Sequence, residues 1–154
     1  MSFGTTDYSK TLQNAIGFAN SSGVVLVASA GNSNTNAPQY PAAFDKVLTI
    51  AATNLLDQKA SFSNYGSSIF VDAPGVNIIS TYPGGYYALV SGTSFSAPIV
   101  AGEAALMLSQ THYFSKSNLA NGTVNIDSLN PTHQGALGNG RVDFVYALKS
   151  HHYD

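Results

Sequence analysis

The sequence predicts a three-layer α/β fold built on a mostly parallel sheet. Three features carry that prediction. Residues 24–28 and 47–51 are short apolar runs with β-branched side chains, suited to strands buried on both faces. Leu12, Ala15, Ile16 and Ala19 recur at i, i+3, i+4 and i+7, one face of a helix. Strand-like and helix-like segments then alternate along the chain, the order expected of a parallel sheet covered by helices.

The elements follow in order. Gly23 punctuates the end of the first helix. The strand at 24–28 runs into Ala28-Ser29-Ala30-Gly31-Asn32, where small residues permit close backbone approach. Residues 47–51 form the second buried strand, and 69–72 and 78–81 are shorter ones. Pro83-Gly84-Gly85 is a turn. Residues 86–90 form a further strand that delivers the chain to Ser91-Gly92-Thr93-Ser94-Phe95-Ser96-Ala97-Pro98. Proline is tolerated in the first turn of a helix, where its missing N–H would be unpaired in any case. Residues 99–108 therefore read as a helix with Ser94 at or near its N-terminus. Residues 118–140, polar and glycine-containing, read as irregular. There is no internal repeat, low-complexity tract or interdomain linker.

Composition bounds the function. A chain of 154 residues is expected to form one domain with a sizeable core. Only 9% of residues are charged and the net charge is −2, so there is no basic footprint for nucleic acid. No apolar run reaches the length of a membrane span. Zero cysteines exclude disulfides and thiolate metal sites. No basic and apolar leader opens the sequence.

Local pattern leaves two roles open for Ser94. Serine is a favoured helix cap. A helix N-terminus also favours negative charge, which suits a nucleophile whose reaction generates an oxyanion nearby. The stretch is not a Gly-x-Ser-x-Gly elbow, because Ser96 stands where the second glycine belongs. The longer pattern, Gly92-Thr93-Ser94-Phe95-Ser96-Ala97-Pro98 followed by Val100-Ala101-Gly102, resembles the active-site serine segment of the subtilisin-like serine proteases (subtilases). The resemblance makes Ser94 the nucleophile. Gly31-Asn32 at the end of a strand reads locally as a turn. Within the resemblance, Asn32 donates its amide to the oxyanion.

The similarity continues through Met1-Ser2-Phe3-Gly4, Tyr40-Pro41-Ala42, Phe62-Ser63-Asn64-Tyr65-Gly66, Asp72-Ala73-Pro74-Gly75 and Gly138-Asn139-Gly140-Arg141-Val142-Asp143. It covers residues 1–148, with 149–154 as a tail, and corresponds to the C-terminal half of a typical catalytic domain of the family. It implies an incomplete subtilisin-like fold and a secreted or extracellular serine endopeptidase. The substrate would be an extended peptide or protein segment, held along Ser2, Phe3 and Gly4 on one side and Ser29, Ala30 and Gly31 on the other. Small residues on the second edge imply room for a large apolar side chain, which Gly31→Val would restrict. Calcium is possible by resemblance, with ligands unknown.

The expected triad is incomplete. The family's Asp and His motifs are absent. His112, His133, His151 and His152 read as surface or tail residues, and Asp7, Asp45, Asp57, Asp72, Asp127, Asp143 and Asp154 as turn, cap or structural residues. Without a general base a serine hydroxyl is a poor nucleophile. The chain is therefore expected to be inactive alone. Met1 coincides with a methionine of the family's substrate strand, consistent with an incomplete reading frame or with one half of a split enzyme. A non-catalytic peptide-binding module and an inert truncated product are the alternatives. Glu103 departs from the family pattern, which carries a small or apolar residue there. It is expected either to face a polar pocket or solvent opening, or to mark relaxed constraint.

Overall fold

A computed structural model describes residues 1–149. Ser9 opens α1 (Lys10–Ser21), its hydroxyl accepting from the Leu12 N–H at 3.2 Å, and Gly23 ends it at a φ of +82°. Next come β1 (Leu26–Ser29) and β2 (Val47–Thr53), paired in parallel with Leu26 opposite Val47. β3 (Val71–Pro74) runs parallel to β2 with Ile50 opposite Val71. β2 is buried along its whole length, as a central strand covered on both sides must be.

The strand at 24–28 shifts toward its C-terminal end. Val24 is half exposed and only residues from Leu26 onward enter the ladder. Likewise the strand expected at 69–72 pairs from Val71. β4 (Ile78–Tyr82) and β5 (Tyr86–Val90) form a separate antiparallel hairpin, turned by Gly84 and Gly85 at positive φ. Ile79, Tyr87 and Leu89 lie exposed on one face of that hairpin.

α2 (Thr93–Thr111) crosses the main sheet. Val27, Leu48, Ile50, Val71 and Ala73 point to it and pack with Ala97, Val100 and Met107. Alternate positions point the other way, where Ala28 and Val47 meet Ile16 of α1, Ala42 and Phe44. Helix, sheet and helix therefore form the three expected layers. α2 is apolar on every side, the composition of a helix enclosed all round, yet Ala101, Gly102, Ala105 and Leu106 are exposed.

Residues 118–140 are more ordered than expected. Ser115 caps α3 (Lys116–Asn121) by accepting from the Asn118 N–H, and Leu119 is fully buried. β6 (Thr123–Val124) pairs antiparallel with β7 (Arg141–Val142), which joins β3 in parallel. This completes the sheet order β1-β2-β3-β7-β6. Ile126 and Leu137 anchor the connecting 3-10 turns in the core. α4 (Phe144–Lys149) follows, its first-turn N–H groups capped by Asp143.

Glu103 does not face solvent. It is fully buried on α2, and neither carboxylate oxygen has a hydrogen-bond partner among the described residues. Burial, reinforced by the Asp143 charge, raises its pKa to about 7. Asp72, on the sheet face opposite α2, is a second such group: fully buried, both oxygens unpartnered, its pKa raised to about 8.

Candidate active site

The N-terminus of α2 meets the C-terminal ends of β1 and β3. Gly92 is the cap residue, at φ 153° and ψ 155°, and no side chain caps the helix there. Ser94 is therefore inside the first turn and is not the cap. Close packing sets this corner. Ser96 donates to the carbonyls of Ala73 and Pro74 at 3.1 and 3.2 Å, and Gly92 N–H donates to Gly75 O at 2.8 Å. A Cβ on Gly75 would collide with Ser96 Oγ and, at 2.6 Å, with Ala52 Cβ. Glycine there lets the helix sit on the strand ends.

Asn32 stands beside this turn with a fixed orientation. Its Oδ1 accepts from the Thr93 N–H and from the Thr93 hydroxyl, both at 2.9 Å. Two donors on the oxygen leave Nδ2 as the outward group, and it lies 3.6 Å from where a Gly92 Cβ would be. The Ser94 N–H is one of the donors that a first helical turn leaves without an intrahelical partner. Ser94 is half-buried.

Two residues that sequence reading gave no role hold Asn32 in place. The Thr93 hydroxyl donates to Asn32 while accepting from the Gly31 N–H at 3.2 Å. Asn64, buried, donates to Ala30 O at 2.9 Å and accepts from the N–H groups of Ser33 and Thr35 at 2.9 and 3.3 Å. Both lie inside segments that carried the resemblance, but only side-chain geometry reveals what they do.

The structure brings the two expected substrate edges together. Met1 joins the free side of β1, its N-terminus donating to Val27 O at 2.6 Å and its carbonyl accepting from Ser29 N–H at 3.0 Å. Ser2, Phe3 and Gly4 continue from it, exposed. Opposite them, Ser29 and Ala30 are buried and Gly31 is half-buried at φ +105°. The space between is not empty. The Gln39 carboxamide oxygen lies against both glycines, 3.2 Å from a Cβ on Gly4 and nearer to one on Gly31. That Cβ on Gly31 would also meet Asn64 Nδ2 at 2.5 Å. Gly31→Val is thus a folding lesion, not a narrowed pocket. It should cost roughly 2–4 kcal/mol through positive-φ strain and overpacking, read by thermal denaturation. An unchanged melting temperature with altered substrate discrimination would restore the simpler expectation.

No described imidazole is hydrogen-bonded to the Ser94 side chain. His112 ends α2 in the left-handed conformation, at the other end of a helix roughly 27 Å long. His133 packs edge-on against the Tyr65 ring, 4.7 Å between centroids, with Nδ1 2.9 Å from Thr132 Oγ1. Burial and the Lys59 charge lower its pKa. His151, His152 and Asp154 lie outside the described residues. Asp57 pairs with Arg141 at 2.7 Å and Asp45 with Lys46 at 3.1 Å. A cleft of about 540 Å³ lies at the His112 end of α2 and is lined by Val25, Leu48, Leu108 and Phe114 among others. Among the described residues, no group of three or more His, Asp or Glu side chains is placed to hold a metal ion. No described helix is long and apolar enough to cross a membrane.

Residues 1–140 match the family model described as the subtilase family. A thermostable alkaline protease from Halalkalibacterium halodurans is 44% identical over 119 residues, 77% of this chain and 33% of that protein. Thermitase from Thermoactinomyces vulgaris is 47% identical over 110 residues, 71% of this chain and 39% of thermitase. Among solved structures, a protease from Pseudoalteromonas arctica superposes with a TM-score of 0.88 at 34% identity, covering 97% of this chain and 50% of that one. The chain thus spans a third to a half of the length of these three proteins.

Proposed function

The chain belongs to the subtilase family, and from that premise we propose that it is the nucleophile-bearing half of a serine endopeptidase, working outside the cell on extended peptide segments. Ser94 Oγ attacks the scissile carbonyl carbon as a general base takes its proton, and the C–N bond then breaks with the amine leaving on that proton. The Asn32 Nδ2 group and the Ser94 N–H donate to the oxyanion, and water then hydrolyses the acyl-enzyme. Residues 2–4 and 29–31 pair with the substrate main chain in the manner of added strands. The observation that carries this reading is the double hydrogen bond from Thr93 to Asn32 Oδ1, which holds the amide oxygen on the helix N-terminus and leaves the amide nitrogen free to donate before any substrate arrives.

The general base and its orienting carboxylate come from a complementary N-terminal half. Its docking faces are the uncovered side of α2 and the exposed face of the β4–β5 hairpin, apolar surfaces that a self-sufficient domain would rarely leave open. A peptide-binding module without chemistry is the second reading, favoured by the absence, among the described residues, of a histidine hydrogen-bonded to the Ser94 side chain and by the place of His112 at the far end of α2.

Mixing this chain with the part of thermitase that precedes its matched segment tests the proposal. Hydrolysis of a peptide p-nitroanilide by the pair, and by neither piece alone, is the expected result. Binding of the peptide by the pair without hydrolysis would favour the second reading.

A further inference from the structure

Pro98 lies four residues after Ser94 inside α2. Its ring nitrogen has no hydrogen, so the Ser94 carbonyl loses its ordinary i+4 donor. A donor arrives from elsewhere. The Ser2 hydroxyl bonds to Ser94 O at 2.9 Å, from 92 residues away in sequence. Ser2 precedes Phe3 and Gly4 on the expected substrate edge, and Met1 on its other side is fixed to β1 at Val27 and Ser29. One hydroxyl therefore ties the substrate edge to the turn that carries the nucleophile.

We propose that Ser2 is a positioning residue for Ser94, and that Pro98 creates the need for it. The inference rests on the reading of Ser94 as nucleophile. Ser2 uses its main chain toward substrate and its side chain toward the helix, so edge and nucleophile move as one unit. Both partners are near solvent, where one neutral hydrogen bond contributes little to stability. Its consequence is geometric, and small misplacements of reacting groups cost large factors in rate.

The test uses this chain paired with the upstream part of thermitase and a peptide p-nitroanilide. Ser2→Ala should lower kcat about tenfold while KM changes less than about twofold, with the melting temperature unmoved. Ser2→Thr retains the hydroxyl and should recover the rate. Pro98→Ala returns an N–H to the Ser94 carbonyl, so adding Ser2→Ala in that background should cost little further. Three results would overturn the proposal: an equal loss in both backgrounds, a loss confined to KM, or no loss. A wild-type pair that neither cleaves the peptide nor acylates Ser94 would overturn the reading of Ser94 and the role of Ser2 with it. A fully active Ser2→Ala pair would overturn the role of Ser2 alone.

Discussion

Asp72→Asn should raise the stability of the chain at pH 9 and leave it nearly unchanged at pH 5. Asp72 sits in the middle of β3, fully buried, on the face away from α2. Its oxygens have no hydrogen-bond partner among the described residues. Burial is the main cause that raises its pKa to about 8; the Asp127 carboxylate adds to it and the Lys59 ammonium opposes it. Lys59 is committed elsewhere, donating to Asn34 Oδ1, Ala60 O and Ser63 O between 2.8 and 3.0 Å. The folded state thus binds the proton more tightly than the unfolded state, whose carboxyl titrates near pH 4. Between about pH 4 and 8 unfolding releases a proton, so stability falls as pH rises through that window. By pH 9 the accumulated loss is on the order of several kcal/mol.

Asparagine keeps the shape and removes the titration. Its melting temperature should exceed that of the wild type by about 5 °C or more at pH 9, given roughly 2–4 °C per kcal/mol for a domain of this size. Glu103, raised to about 7 on the other side of the sheet, acts in the same direction over a lower window, so Glu103→Gln should flatten the remaining slope. Parallel stability–pH curves for wild type and Asp72→Asn would show that Asp72 is ionised and paired in the folded state.

Asn32→Ala in the reconstituted pair should lower kcat by about 10²–10³ with little change in KM, a range taken from an oxyanion asparagine of a subtilisin and not from this geometry. Alanine removes Nδ2 and also leaves the Thr93 N–H and hydroxyl without their acceptor. Thr93→Val separates the two effects. It keeps the backbone N–H bond to Oδ1 and deletes the hydroxyl that fixes the amide and accepts from Gly31. A loss of about tenfold in kcat is expected, smaller than that of Asn32→Ala because the donor itself survives. Equal kcat for Asn32→Ala and wild type, measured by initial rates on the p-nitroanilide, would remove Asn32 from the oxyanion site.

Much of this site is legible in the sequence because its residues are contiguous. The segment around Ser94 carries glycine, hydroxyl and proline signals that each constrain the same helix start, and Asn32 follows directly on a buried strand. β2 is legible for a similar reason, since a seven-residue run buried on both faces leaves no period to misread. What sequence reading misses depends on partners distant along the chain. Residues 86–90 read as a further strand with no partner assigned; the partner is β4 alone, in a sheet of its own, and strand pairing is a tertiary choice. α3 hides in a polar stretch because a Ser115 cap and one buried leucine suffice for six residues. Gln39 has no motif, yet it occupies the space between Gly4 and Gly31. Pro98 is visible as a helix-start signal, whereas the carbonyl it frees and the Ser2 hydroxyl that answers it meet only in three dimensions.

The most direct measurement is acylation by a fluorophosphonate probe, with the modified residue located by mass spectrometry. The chain by itself should remain unlabelled, because no described side chain accepts the Ser94 proton. Addition of the upstream part of thermitase should bring rapid labelling at Ser94 and nowhere else. Rapid labelling of Ser94 in the unaccompanied chain would contradict the account, since a base would then be present within these 154 residues.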